Sequence, residues 1–421
     1  MKRLLSSVAM AALAVQPLAA QDVEAEEQAE VAVEVEAEAI ENSGEEAPLP
    51  SAHGYEPKDE LEKGLWYEMD EAEKRLRESR FLIEDPALND YVRSVLCKTV
   101  GDQRCAATRL YLIRTPQFNA SMAPNGVMLV YSGLLLRMRD EAQLAAVLGH
   151  EFTHFEKQHS LRIFRQIRTK TDILSWLSVL PVRLPYPAGM AAQMAVLGSV
   201  YDFNRDMERE ADAGSIDELV RAGYDPRAAS AIWSQLGAEM DATAEERGHR
   251  SDKNRNGGLF ATHPRSTDRM GRLAQLAREA AGEDAENRYT GAQEYRAAIG
   301  PWWSELIDDQ IALKDFGGTE YLLATLAGDD PLGWTGDLLY ARGELYRARA
   351  EEGDFAQAAD FYRQAIATGE YPAESWRGLG LSLLRDGHKV EGQTALRSYL
   401  ELRPDAPDAA LLASMAGEVA S

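Results

Sequence analysis

His150-Glu151-Phe152-Thr153-His154 constrains this chain more than any other stretch, because two imidazoles four positions apart act together on a helix. At about 100° per residue, positions four apart differ by about 40°, so both rings leave one face, one turn apart. The flanks supply such a helix: Leu144, Val147 and Leu148 give it an amphipathic pattern, and Asp140 stands where an N-cap belongs. The spacing suits two nitrogen ligands of a tetrahedral zinc ion. It also puts Glu151 beside that ion, where a carboxylate can take a proton from bound water. The bland alternative is a surface helix carrying two solvated histidines.

A second helical stretch holds Glu208-Arg209-Glu210-Ala211-Asp212. Sites built from two histidines and a glutamate take their third ligand from such a residue and leave the fourth position to water. Asp212, one turn after Glu208, can accept the remaining N–H of a ligating imidazole and so fix its tautomer. Glu210 projects about 200° from Glu208 and reads as a solvated surface charge, although helical register leaves it open as the ligand. The competing view of the pair is an exposed acidic helix face. His159, His249 and His388 belong to no such motif and read as structural.

The 421 residues, 45% hydrophobic and 27% charged, are enough for two or three globular domains. A formal net charge of −24 argues against nucleic-acid binding, which needs a dense cationic surface. Much of the excess is local, since residues 22–50 hold eleven acids and no Lys or Arg. Before them, Lys2 and Arg3, the apolar run of residues 4–15 and Ala19-Ala20 have the layout of a secretory signal peptide. That run is shorter than the ~20 residues a spanning helix needs. Residues 1–20 are thus expected to direct export to the periplasm, and residues 21–54 to form an acidic disordered linker.

Leu61, Leu65, Met69, Ala72 and Leu76 recur at helical spacing and open the folded part. The expected fold class is α+β: a helix-rich domain over residues 55–281 with strands at 110–113 and 127–131, connecting helices over 282–334, and an all-α domain over 335–421. Residues 119–131 would present an edge to which an extended peptide adds, or would simply complete a sheet. A 34-residue period relates Gly353 to Gly387, Ala358 to Gly392, Tyr362 to Leu396 and Ala365 to Tyr399, the length of a tetratricopeptide (TPR) repeat. Such a stack binds protein segments; alternatively it only packs on its neighbour. Cys97 and Cys105 suit a disulfide in an exported chain and two thiols in a cytosolic one; export favours the former. Residues 173–200 are apolar but divided by Arg183, Pro181, Pro185 and Pro187, so neither piece spans a bilayer; they read as core, or as a cover of the cleft or a contact with a membrane surface.

Over residues 63–277 the chain resembles the HtpX and CAAX-prenyl-protease type of zinc metallopeptidases, a gluzincin group. The resemblance rests on Asp85-Pro86 with Leu88 and Tyr91-Val92, on Asn119-Ala120, Pro124-Asn125-Gly126 and Ser132-Gly133-Leu134, then on HExxH, Glu208-x-x-Ala211-Asp212, Gly223-Tyr224-Asp225-Pro226, and His263-Pro264 with Arg269. It implies one zinc ion per chain at His150, His154 and Glu208, Glu151 as general base, and a transition-state role for His263 and Arg269. Without the resemblance, His263 is an ordinary loop histidine after a charge-rich loop at 241–258. A neutral imidazole there could instead fill zinc's fourth position in a resting state.

The combined layout resembles exported family members that pair a peptidase with TPR repeats. It implies an endopeptidase that cleaves misfolded or misassembled envelope proteins in protein quality control, with a protein partner held by the repeats. The alternative is a chaperone or assembly adaptor for outer-membrane proteins in which proteolysis is minor; an intact general base favours the enzyme.

Overall fold

Three short strands and the helices around them fix where the HExxH helix lies. The computed structural model describes residues 56–168, 203–249, 267–282, 288–329 and 333–417. The expected signal peptide and linker, the apolar stretch 173–200 and His263 all lie outside the described residues.

Helix α1 (Glu60–Arg77) starts at Asp59, whose side chain accepts from the backbone N–H groups of Leu61 and Glu62. Met69, Ala72 and Leu76 are buried at the expected spacing, but Leu61 is 37% exposed. Its neighbour Glu62 is buried instead, because Arg165 reaches its carboxylate at 2.7 Å. Strands β1 (Arg109–Ile113), β2 (Ala120–Met122) and β3 (Val127–Tyr131) form one sheet in the order β1-β3-β2. β1 runs parallel to β3, and β2 antiparallel to it with Ala120 opposite Val130. β3 is therefore the inner strand, buried along its whole length, and the expected edge in 119–131 narrows to three-residue β2. Gly126 closes the turn between them at φ +88°; a Cβ there would meet the Ala107 carbonyl oxygen at 2.5 Å, so only glycine fits.

Glu73 of α1 ties that helix to β1: it accepts from Arg109 at 2.8 Å, Tyr111 at 2.6 Å and Arg77 at 2.7 Å. Burial alone would raise its pKa, yet these donors outweigh it and hold the carboxyl down to about 2. A depressed carboxylate contributes stability above its unfolded value, and that contribution is lost as pH falls through the folded one. Glu73→Gln should therefore lower the urea midpoint at pH 6, with the gap from wild type closing between pH ~4.5 and ~2. A gap independent of pH would mean that Glu73 contributes packing and not charge.

After α2 (Pro86–Val100), short α3 (Asp102–Cys105) and α4 (Ser132–Arg137) comes α5 (Glu141–Glu156), the HExxH helix. Asp140 caps it as expected, accepting from Gln143 N at 2.8 Å. The amphipathic expectation is corrected: almost every residue of α5 is buried, polar ones included. Ala142, Ala145, Ala146 and Gly149 let neighbours approach on the remaining faces, so α5 is a central helix. It packs against α2, β2, α7 (Arg205–Arg221) and α8 (Ala228–Glu246). Cys97 and Cys105 are joined in a disulfide, and the adjacent Arg104 bridges Glu156 at 3.0 Å and Glu218 at 2.8 Å, clamping α5 to α7.

Helix α8 continues through Glu246, so the first part of the expected loop at 241–258 is helical. α9 (Thr267–Ala281) packs on α7 and α8. Then follow α10 (Ala292–Ile299), α11 (Trp303–Ala312), α12 (Phe316–Asp329) and α13 (Gly336–Arg349). One hydrophobic cluster runs from Ile83 through Leu148 and Ile232 to Leu306, Leu323, Leu338 and Leu345, so α11 to α13 share the core of the HExxH helix. Beyond it, α14 (Asp354–Ala367), α15 (Glu374–Arg385), α16 (Lys389–Leu402) and α17 (Ala409–Met415) pack each on the next. Ala358, Tyr362 and Ala365 are buried, and 34 residues later so are Gly392, Leu396 and Tyr399.

Candidate metal centre

Two helices bring the site together. α5 carries His150, Glu151 and His154, while α7, capped by Asn204, carries Glu208 and Asp212. They approach closely because Gly214 faces Thr153: a Cβ at Gly214 would meet Thr153 Oγ1 at 2.5 Å. Ser215 Oγ adds a buried hydrogen bond to the Ala146 carbonyl at 2.7 Å.

The result is a group of ligand-type atoms on His150, His154 and Glu208. His150 Nε2 and His154 Nε2 are 3.1 Å apart, and the Glu208 carboxylate lies 3.7 Å from the first and 3.5 Å from the second. Ligands at the ~2.0–2.1 Å zinc distances of a tetrahedron stand about 3.4 Å from one another, so these three separations match its edges. Glu151 is buried beside them.

Charge points the same way. Asp212 Oδ1 lies 3.3 Å from His150 Nδ1, which leaves the His150 Nε2 lone pair facing the group. Arg269 donates to both Asp212 oxygens at 2.8 and 2.7 Å and reaches Glu208 at 2.5 Å. Its guanidinium also lies over the Trp233 ring, 4.9 Å from the centroid. Burial would raise the Asp212 pKa, but Arg269 and His150 hold it well below the usual carboxylate range. Among the described residues, three carboxylates (Glu151, Glu208 and Asp212) meet one guanidinium. The remaining two negative charges suit a divalent cation, and the donor set of two imidazoles and one carboxylate fits zinc.

Arg269 thus sits where its donors grip the acids of the site. Glu210 turns away from Glu208, as its register suggested, yet it is not merely solvated: it meets His159 Nε2 at 2.8 Å and Arg162 at 3.5 Å. His159, read as structural, is buried against His154 Nδ1 at 2.9 Å. Burial lowers its pKa against the opposing pull of Glu210. Beside the metal group, an apolar recess is lined by Val147, Ile232, Trp233 and Leu273 together with His150 and Glu151.

A buried helix pair offering two histidines, a glutamate and an adjacent carboxylate has the donor set that a zinc metallopeptidase site requires. Residues 86–277 match the Peptidase family M48 model, which supports a zinc metalloendopeptidase. The chain is similar to the beta-barrel assembly-enhancing protease of Escherichia coli, 30% identical over 173 residues, 39% of this chain and 35% of that one. It is also similar to the mitochondrial metalloendopeptidase OMA1 of Schizosaccharomyces pombe, 29% identical over 171 residues, 41% of this chain and 47% of the other. The chain spans less than half the length of these curated relatives. Among the described residues, no helix is long and apolar enough to cross a membrane.

Proposed function

We propose that the protein is an exported zinc endopeptidase of envelope protein quality control, acting in the periplasm on misfolded or misassembled proteins. The convergence of His150 Nε2, His154 Nε2 and the Glu208 carboxylate on one point, with Glu151 adjacent, carries this reading. A bound zinc ion supplies Lewis acidity, lowering the pKa of a water to ~7 and polarising the scissile carbonyl. Glu151 takes the proton of the attacking water and passes it to the leaving amine. Asp212 orients His150, and Arg269 holds Asp212 and Glu208 in place. The apolar recess receives a hydrophobic side chain next to the cleaved bond. His263, which lies outside the described residues, keeps its two suggested roles, oxyanion donor or occupant of the fourth zinc position.

The likeness to the beta-barrel assembly-enhancing protease and the signal-like layout of residues 1–20 support this substrate class and compartment, and the repeat period supports α13 to α16 as TPR helices that hold a protein partner. Removing zinc with a chelator should abolish cleavage of an unfolded protein, and added zinc should restore it; cleavage that survives metal removal would overturn the enzyme reading. Truncation tests the repeats. It should follow Ala350, because Leu338, Ala341 and Leu345 belong to the peptidase core. A chain ending there should lose capture of an unfolded protein client more than cleavage of a short peptide. Equal losses would favour repeats that only pack.

A further inference from the structure

Among the described histidines, His159 is the most deeply buried, its side chain 0% exposed, although it belongs to neither metal-binding motif. On an unbroken helix it would stand about 140° from His154. The helix is broken: α5 ends at Glu156, Gln158 adopts φ 54°, and α6 (His159–Arg168) begins on a new axis. This turn brings the His159 ring back onto His154, with ring centroids 4.9 Å apart. The Phe203 ring lies 3.9 Å from His154 and restricts its rotation.

The polarity of the chain of contacts can be worked out from its outer end. Glu210 is a carboxylate and only accepts, so His159 Nε2 carries the proton across the 2.8 Å contact. A neutral His159 then offers a lone pair at Nδ1, and His154 Nδ1, 2.9 Å away, is the donor. With its proton on Nδ1, His154 presents the Nε2 lone pair to Glu208 and His150. The geometry points to His159 and Glu210 as positioning residues that lock His154 in its zinc-binding tautomer, with Arg162 steadying Glu210 from the surface. This inference rests on His154 being a zinc ligand.

Zinc affinity, measured by chelator competition on the full chain, tests it. His159→Leu removes the acceptor and should weaken zinc binding about 10–100-fold. His159→Asn places an amide oxygen near the Nδ1 position and should recover most of that loss, which a purely space-filling role would not allow. Glu210→Lys puts a donor where the acceptor was, at a side chain 47% exposed, and should also weaken binding. Circular dichroism of the metal-free variants reports folding. Wild-type affinity in His159→Leu, or equal losses in the Leu and Asn variants, overturns the inference. Should His159→Leu fail to fold, unchanged affinity in Glu210→Lys overturns it. If His154→Ala itself binds zinc normally, the zinc assignment has failed and not merely its support.

Discussion

Glu151→Gln should lose peptide-bond cleavage by about 10²–10⁴-fold, the usual worth of a positioned general base, while keeping its zinc. Glu151 neighbours His150 on α5, is buried, and lines the recess that would hold the substrate. The amide fills the same space and cannot accept the water proton. Neither His150, His154 nor Glu208 depends on it for placement, since Asp212 orients the first and α7 carries the last. Turnover of a short peptide and elemental analysis of zinc check the two halves separately. Wild-type turnover in this variant would remove Glu151 from the mechanism; loss of zinc along with turnover would make it part of the metal site.

Arg269→Met should destabilise the metal-free protein by roughly 3–5 kcal/mol, the cost of leaving buried charge without its partner. The guanidinium is nearly buried, as are both acids it holds, Glu208 and Asp212. Asp212 keeps a depressed pKa because Arg269 and His150 outweigh its burial. Its contribution is therefore present above the unfolded carboxylate value and is lost as pH falls through the folded one. Without Arg269 the folded pKa rises, so the loss of stability should be greatest near neutrality and shrink as pH approaches ~4. Urea denaturation of wild type and variant at pH 7.5 and pH 4.5 measures this. A small, pH-independent difference would mean that Arg269 contributes mainly its contact with Trp233.

The ligand spacing was legible because it is local: one helical turn separates His150 from His154, and another separates Glu208 from Asp212. Asp140 as a cap was legible for the same reason. What the sequence concealed depends on chain reversals and on shared burial. His159 looks unrelated to His154 until the break at Gln158 turns it back, and Glu210 looks solvated until His159 is placed beside it. A positive φ at a non-glycine residue leaves little trace in sequence. α5 looked amphipathic because its other faces carry alanine and glycine, which register as weakly polar positions although they mark close helix approach. The connecting helices read as a separate segment, yet their Leu306 and Leu323 lie in the core that surrounds the HExxH helix, as does Leu338 from the expected all-α domain. β3 and β2 could not be ranked as inner and edge strands from alternation alone, since strand order is a long-range property.

The most direct test of the account is an anomalous difference map at the zinc edge from crystals of the full chain. One strong peak per chain is expected, about 2.0–2.2 Å from His150 Nε2, His154 Nε2 and a Glu208 oxygen. A peak coordinated by other residues, or no peak from zinc-loaded protein, would contradict it.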